Sequence, residues 1–291
     1  MTYNTLISAQ QLQSLLGSNQ PFMVFDCSYD LVQPDVGRTQ FEEAHIPGAL
    51  HVSLDTDLSV HGAHAGESAS GGRHPLPSRE RFAQWLSNIG FRNDMQAVIY
   101  DRQGGLFSGR MWWMLQWAGH HAAAVLDGGL GAWQAIGGAV STGPSSAGQH
   151  PTGTFALQPS LRALVSADDV LQRLSQPEHQ TVIDARAAAR FRGDVEPLDP
   201  VAGHIPGALN RPFTDNLALD GRFKPKELLH AEFAALLQGK APHTVVHQCG
   251  SGVSALSNLL AMEIAGFGAS ALYAGSWSDW CSVADRPMAK G

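Results

Sequence analysis

The chain has 291 residues, a formal net charge of −7 and three cysteines. No dense run of Lys or Arg offers a face for nucleic acid, and no apolar stretch is long enough for a membrane-spanning helix. The odd cysteine count, without metal-like pairing, argues against a disulfide framework, and at about 150 residues per domain the length suits two domains.

The N-terminal segment MTYNTLISAQQLQ has no charged region followed by an apolar one, so no secretion signal is expected there. A reducing cytoplasm, where a free thiol stays reactive, is the expected compartment. Leu6–Leu12 leads into a helix with Ser8 as N-cap, its hydroxyl taking an orphan backbone N–H. Met23-Val-Phe-Asp26 reads as a short buried strand ending in an acid. His45-Ile-Pro-Gly-Ala-Leu50 follows, its Pro and Gly fixing a turn into a strand. The stretch His61–Gly72 is rich in Gly, His and Ser and reads as a mobile polar loop. His61, His64 and His74 lack the Cys or carboxylate that would complete a zinc site at the usual spacing. Arg79–Ile89 reads as a helix and Ala97-Val-Ile-Tyr100 as a buried strand running into Asp101. Trp112, Trp113 and Trp117 fall at helical spacing, a packing pattern rather than a stacking platform. Leu126-Asp-Gly-Gly with Trp133 closes this first run, and the Gly, Pro and Ser-rich stretch Ser141–Ser160 reads as a linker region.

The second half repeats the first in order. Leu164-Val-Ser-Ala-Asp-Asp-Val170 has Ser166 as N-cap, Val182-Ile-Asp184 is a strand ending in an acid, and His204-Ile-Pro-Gly-Ala-Leu209 is the same hexapeptide. The helix Lys226–Leu237, the strand Val245-Val-His-Gln248 and the closure Tyr273-Ala-Gly-Ser with Trp277 and Trp280 complete it. A chance hexapeptide would not keep its neighbours in order, so the chain is a duplication. The expected fold is α/β: two tandem domains, each a mainly parallel sheet flanked by helices. The boundaries are 1–145, a linker at 146–160, and 161–291. Because the hexapeptide occurs in both copies its main work is structural, and His204 reads as structural.

The copies differ where it matters for chemistry. The strand that ends at Asp101 in the first copy ends at Cys249 in the second, inside Gln248-Cys-Gly-Ser-Gly-Val-Ser254, and Leu256, Leu259, Leu260 and Ile264 then recur at helical spacing. Cys249 therefore sits at the carboxyl end of a strand, in a turn feeding a helix N-terminus, where open α/β sheets place ligand sites. Gly250 and Gly252 let successive N–H groups turn toward one point, and with the helix end they would stabilise a thiolate or a persulfide anion there. A small buried core residue is the competing reading of any free cysteine, and it suits Cys27 and Cys281 better. No Lys follows the Gly-Ser-Gly, which excludes a Walker-type loop. A Cys-based phosphatase would need an Arg where Ala255 stands.

The doubled HIPGA segments, the Asp-Gly-Gly and Gly-Ser-Trp closures and the Cys249–Ser254 loop resemble the tandem-domain rhodanese family. More narrowly, the loop is similar to that of its 3-mercaptopyruvate sulfurtransferase branch. The resemblance covers essentially the whole chain. It implies an inactive N-terminal domain and a C-terminal Cys249 that carries sulfur as a persulfide, taken from 3-mercaptopyruvate and passed to a thiol such as thioredoxin or a low-molecular-weight thiol, or to cyanide. No metal or organic cofactor is implied. Gly250 and Ser251 stand where thiosulfate-specific members carry cations, which favours mercaptopyruvate. The alternatives are a thiosulfate:cyanide sulfurtransferase and a persulfide carrier or redox interaction module with little turnover. By resemblance, Arg190 binds the donor carboxylate, with the backbone of Gly250, Gly252, Val253 and Ser254 around the sulfur; Arg186, two residues after the strand-ending Asp184, reads as structural, paired with Asp184 or with a helix end. His45 is implied to work with Ser251 in proton transfer, with Asp35 as a weak substitute for the acid that would complete the relay, because Gly37-Arg38-Thr39 lacks it. A second Arg is expected where Asp199 stands, and Arg211 is one residue that could replace it.

Overall fold

The computed structural model describes residues 1–144 and 152–291. They form two compact units: Met1–Glu67, Pro77–Leu161 and Leu219–Phe223 make one, and Ser68–Leu76, Arg162–Ala218 and Lys224–Gly291 make the other. The segment Ser68–Leu76 thus lies within the first repeat in sequence but belongs to the second unit in space. Of the expected linker 146–160, residues up to 151 lie outside the described residues. Beyond them the chain runs along the first unit, where the N–H groups of Gly153 and Gln158 donate to the carbonyls of Ser87 (2.8 Å) and Ala118 (3.1 Å).

The first unit is built on a parallel five-stranded sheet of β1 (Leu6–Ile7), β2 (Phe22–Asp26), β3 (Leu50–His51), β4 (Gln96–Tyr100) and β5 (Ala123–Leu126), in the order β1-β5-β4-β2-β3. Its helices are α1 (Ala9–Leu16), α2 (Asp35–Glu43), α3 (Arg79–Asn88), α4 (Ser108–Trp117) and α5 (Gly129–Ala135). The second unit repeats this strand for strand. Its strands β6 (Ala163–Leu164), β7 (Thr181–Asp184), β8 (Leu209–Asn210), β9 (Val245–Gln248) and β10 (Ala271–Leu272) are ordered β6-β10-β9-β7-β8, again all parallel. The helices α6 (Ala167–Gln172), α7 (Ala188–Arg192), α8 (Lys226–Leu237), α9 (Ala255–Ile264) and α10 (Ser276–Trp280) go with it. No helix among the described residues is long and apolar enough to cross a membrane.

Local chemistry explains the shared plan. Ser8 and Ser166 each close a capping box, with Gln11 and Asp169 reaching back to the cap N–H. Equivalent apolar positions fill equivalent cores: Leu12, Val24, Ile46, Val98 and Trp133 in one unit, Val170, Val182, Ile205, Val246 and Trp280 in the other. Each Ile-Pro-Gly-Ala segment is a tight turn. Ala49 N–H donates to Ile46 O (2.9 Å) and Ala208 N–H to Ile205 O (3.1 Å), while Gly48 and Gly207 sit at φ +77° and +76°, as a turn with Pro second and Gly third requires. Trp112 and Trp113 are fully buried in α4.

The loop expected to be mobile between 61 and 72 is structured. Gly62–Glu67 makes a 3-10 turn. Beyond it Gly72, at φ +86°, lies so close to the backbone that a Cβ there would fall 2.4 Å from Gly275 O. Arg73 N–H donates to Ser278 Oγ (3.0 Å), and the segment is thereby fixed against the start of α10.

Candidate active site

In the first unit the strand-end residue is Asp101, and its carboxylate is surrounded by amides. Oδ1 accepts from Gln103 and Gly105 N–H (2.9 Å each), and Oδ2 from Phe107 and Ser108 N–H (2.8 Å each). The turn after this strand is therefore an anion cradle, already filled by its own side chain. In the second unit the residue at the corresponding end of β9 is Cys249. Its N–H donates to Ser276 Oγ (3.1 Å), and its carbonyl accepts from Trp277 N–H (3.0 Å). The amides of Gly250, Ser251, Val253 and Ser254 donate to no backbone carbonyl among the described residues. α9 begins directly after this loop, adding the positive end of its dipole.

The loop's shape depends on particular residues. Gly252 is at φ +74°, and a Cβ there would lie 2.2 Å from Ala274 O. Gly252→Ala is expected to destabilise the protein by roughly 3 kcal/mol or more, from the left-handed backbone and the clash together, with kcat falling in the fraction that folds; denaturant unfolding and steady-state rates check both. Ser276 takes φ +57°, rare for a side-chain-bearing residue, where the first copy has Gly129 at +56°. Its hydroxyl donates to Tyr273 O (3.0 Å) and accepts from Cys249 N–H, which repays the strained backbone.

Cys27 and Cys281 lie outside this loop. Burial pushes the Cys27 thiol well up, with Asp26, Asp101 and Asp57 adding to it, and Cys27 Sγ rests on Met111 Sδ (3.9 Å). Burial also raises the Cys281 thiol, aided by Asp199. All three cysteines are free.

Two arginines reach the mouth of the Cys249 loop. Arg190, on α7, pairs with Glu196 (2.6 Å) and Asp199 (3.2 Å). Arg73 pairs with the other oxygen of Asp199 (2.6 Å). A Cβ built on Gly250 would sit 3.4 Å from Arg73 Nη2 and 3.5 Å from Arg190 Nη1, so both guanidiniums face the space above that glycine. Burial raises the Glu196 carboxyl, but the Arg190 hydrogen bond and two backbone N–H groups outweigh it and hold it below the usual value. Arg186 pairs with Asp184 (2.7 Å), donates to Gly203 O (2.7 Å) and lies 4.9 Å over Trp277, a structural post as expected. Arg211 does not stand in for the missing second Arg: it is held by Asn216 (2.9 Å) and Glu232 (2.7 Å) and stacks on Phe233.

The histidine on Ser251 is His74. Its Nδ1 lies 2.8 Å from Ser251 Oγ, and both residues are buried. His45, expected in that place, has a different environment: its ring stacks on Phe41 (3.9 Å) and Nδ1 lies 2.8 Å from Phe41 O. His204 makes the same pair with Phe191, at 3.9 and 2.8 Å. The shared geometry assigns both histidines to holding the hexapeptide on the preceding helix. Asp35, the substitute acid, is exposed and paired with Arg38. Sequence reasoning therefore missed Arg73 and His74, both in the segment Ser68–Leu76. The available signal was length: the stretch from the hexapeptide to the next helix runs 51–78 in the first copy but only 210–225 in the second.

The sequence pattern of the rhodanese-like domain matches twice, over residues 8–136 and 166–283. The chain belongs to the rhodanese family. Over its full length the chain is 46% identical to a probable 3-mercaptopyruvate sulfurtransferase of Pseudomonas aeruginosa, covering 100% of both chains. It is 38% identical to the putative thiosulfate sulfurtransferase SseB of Mycobacterium tuberculosis, over 98% of this chain and 97% of that one. The crystal structure of SseA from Escherichia coli, described as a 3-mercaptopyruvate sulfotransferase, superposes with a TM-score of 0.78 at 31% identity, covering 95% of this chain and 100% of that chain.

Proposed function

We propose that this protein is a sulfurtransferase that takes sulfane sulfur from 3-mercaptopyruvate through a Cys249 persulfide. The carrying observation is the paired loop: a cradle of amides that binds the Asp101 carboxylate in one unit is turned over to a cysteine in the other. The Cys249 thiolate attacks the donor sulfur, the carbon–sulfur bond breaks, and its electron pair leaves on carbon as the enolate of pyruvate. Arg190 holds the donor carboxylate. Amides from Gly250 to Ser254, with Gly252 and Val253 shaping the turn, stabilise the persulfide. The Ser251 hydroxyl, polarised by His74, passes a proton to the enolate. An acceptor thiolate, from thioredoxin or a small thiol, or cyanide, then attacks the outer sulfur and frees Cys249. The catalytic domain is the C-terminal one together with Ser68–Leu76, and a reducing compartment such as the cytoplasm keeps Cys249 free between cycles.

Thiosulfate is the second reading, favoured by the name of the Mycobacterium tuberculosis relative and by two arginines that also suit a dianion. Steady-state kcat/KM for both donors with cyanide as acceptor tests the choice, and a preference of about tenfold or more for 3-mercaptopyruvate is expected, equivalent to about 1.4 kcal/mol. A preference for thiosulfate would overturn it. A persulfide that forms once and does not pass to cyanide or dithiothreitol would make the protein a carrier instead.

A further inference from the structure

We infer that the loop 195–201 is the docking surface for a protein acceptor, one whose reactive thiol is set in apolar surface with acidic groups at its edge. The inference rests on the sulfurtransferase reading for the existence of a persulfide, and adds where the acceptor lands. The loop is turned inside out. Its two acids point inward, the Glu196 and Asp199 side chains being 3% and 2% exposed. Every residue it exposes is apolar: Val195, Pro197, Leu198, Pro200 and Val201. Surface loops ordinarily do the reverse. Single exposed apolar residues mean little, but a contiguous run of them marks a contact surface.

The loop is held in that shape from within. Glu196 Oε1 accepts from the N–H groups of Leu198 (3.1 Å) and Asp199 (3.2 Å) and from Arg190 Nη2 (2.6 Å). Trp277 Nε1 donates to Val201 O (2.8 Å), and the two prolines fix their own φ. A surface ordered before contact loses little entropy on binding. Its place suits the second half of the reaction. Trp277, which holds Val201, also donates its backbone N–H to Cys249 O (3.0 Å), and Arg73, paired with Asp199, faces the space above Gly250. The apolar run therefore borders the mouth of the Cys249 loop, where an acceptor must arrive. Charge adds direction. With the acids buried and the Arg73 and Arg190 side chains 31% and 18% exposed, the rim shows its cations to solvent, although the chain as a whole carries −7. An acidic partner is repelled by the rest of the surface and drawn to this part of it. A small thiol gains little from five apolar residues; a protein thiol buries them.

In the step concerned, the acceptor thiolate attacks the outer sulfur, the S–S bond breaks, and its electron pair returns to Cys249 as the thiolate. The test measures kcat/KM for three acceptors at saturating donor: reduced thioredoxin as the protein probe, dithiothreitol, and cyanide. It compares the unaltered protein with a Val195→Ser, Leu198→Ser double variant. Both residues are about half exposed (53% and 46%), so the fold should survive, and turnover with cyanide reports that it has. The unaltered protein is expected to prefer thioredoxin to dithiothreitol by about tenfold or more. In the double variant the thioredoxin value should fall about tenfold or more, while those for dithiothreitol and cyanide stay within about twofold. Raising the salt from about 50 to 500 mM should lower the thioredoxin value several-fold more than that for uncharged dithiothreitol. A thioredoxin value that survives the double substitution would overturn the inference, as would a fall shared by all three acceptors. An equal response to salt would overturn the acidic partner. Turnover with cyanide but not with thioredoxin would refute the docking surface and keep the sulfurtransferase; no turnover with any acceptor would refute that reading, and this inference with it.

Discussion

Replacing Cys249 by serine is expected to lower kcat on the order of 10³-fold or more with 3-mercaptopyruvate and with thiosulfate alike. The substitution is nearly isosteric at a residue only 2% exposed, and the bonds that fix it, from its N–H to Ser276 and from Trp277 N–H to its carbonyl, are made by backbone. The fold should therefore survive while the chemistry does not: a serine hydroxyl is not ionised near neutral pH and cannot carry sulfur to a second substrate. Mass spectrometry gives the companion readout. The unaltered protein should gain one sulfur atom on the peptide containing Cys249 when treated with donor alone, and Cys249→Ser should gain none. Adduct appearing instead on Cys27 or Cys281 would contradict the assignment, and the structure argues against both, since burial raises each of those thiols.

The turn at Asp101 in the first unit is complete without a bound anion. Asp101 satisfies four loop amides with its own carboxylate, so its turn is as well bonded as any turn with a bound anion. In the second unit Cys249 stands at the corresponding strand end, and Gly252 and the strained Ser276 hold the loop in shape. On the proposed function, the first copy stabilises its loop internally and the second leaves that stabilisation to the persulfide.

Much of this was legible in the sequence because it is local. The helices Lys226–Leu237 and α3, the strands β4 and β9, and the serine caps follow from periodicity and capping chemistry within about a dozen residues. The duplication made each half a check on the other, and the substitution of Cys249 for Asp101 stood out against it. Arg190 came from the resemblance. What could not be read was the pairing of Ser68–Leu76 with the second unit. Arg73 meets Asp199, and His74 meets Ser251, across more than a hundred intervening residues, and a stretch of Gly, Ser and His carries no period to show where it packs. The doubled hexapeptide drew attention to His45, yet its being doubled is the reason its work is the same as that of His204.

Exchanging the two histidines for asparagine one at a time should separate their duties. His74→Asn is expected to lower kcat by about 10²–10⁴-fold, the span of general acid–base assistance, with a smaller change in KM because Arg190, the proposed carboxylate anchor, is untouched. In the proposed relay His74 acts through Ser251, 2.8 Å away, positioning and polarising it rather than touching the donor. Its loss should therefore change the shape of the kcat–pH profile, and Ser251→Ala should do the same. The double variant should be no slower than the worse single one, since the two residues work as one relay. His45→Asn should behave differently. It removes a ring stacked at 3.9 Å on Phe41 and a contact to the Phe41 carbonyl, costing about 1–3 kcal/mol of stability, while the folded fraction keeps its kcat and pH profile. His204→Asn, losing the same contacts to Phe191, should cost a similar amount. If His45→Asn instead lowered kcat a hundredfold without loss of stability, the relay would run through the first unit's hexapeptide and His74 would be only a support for Ser251.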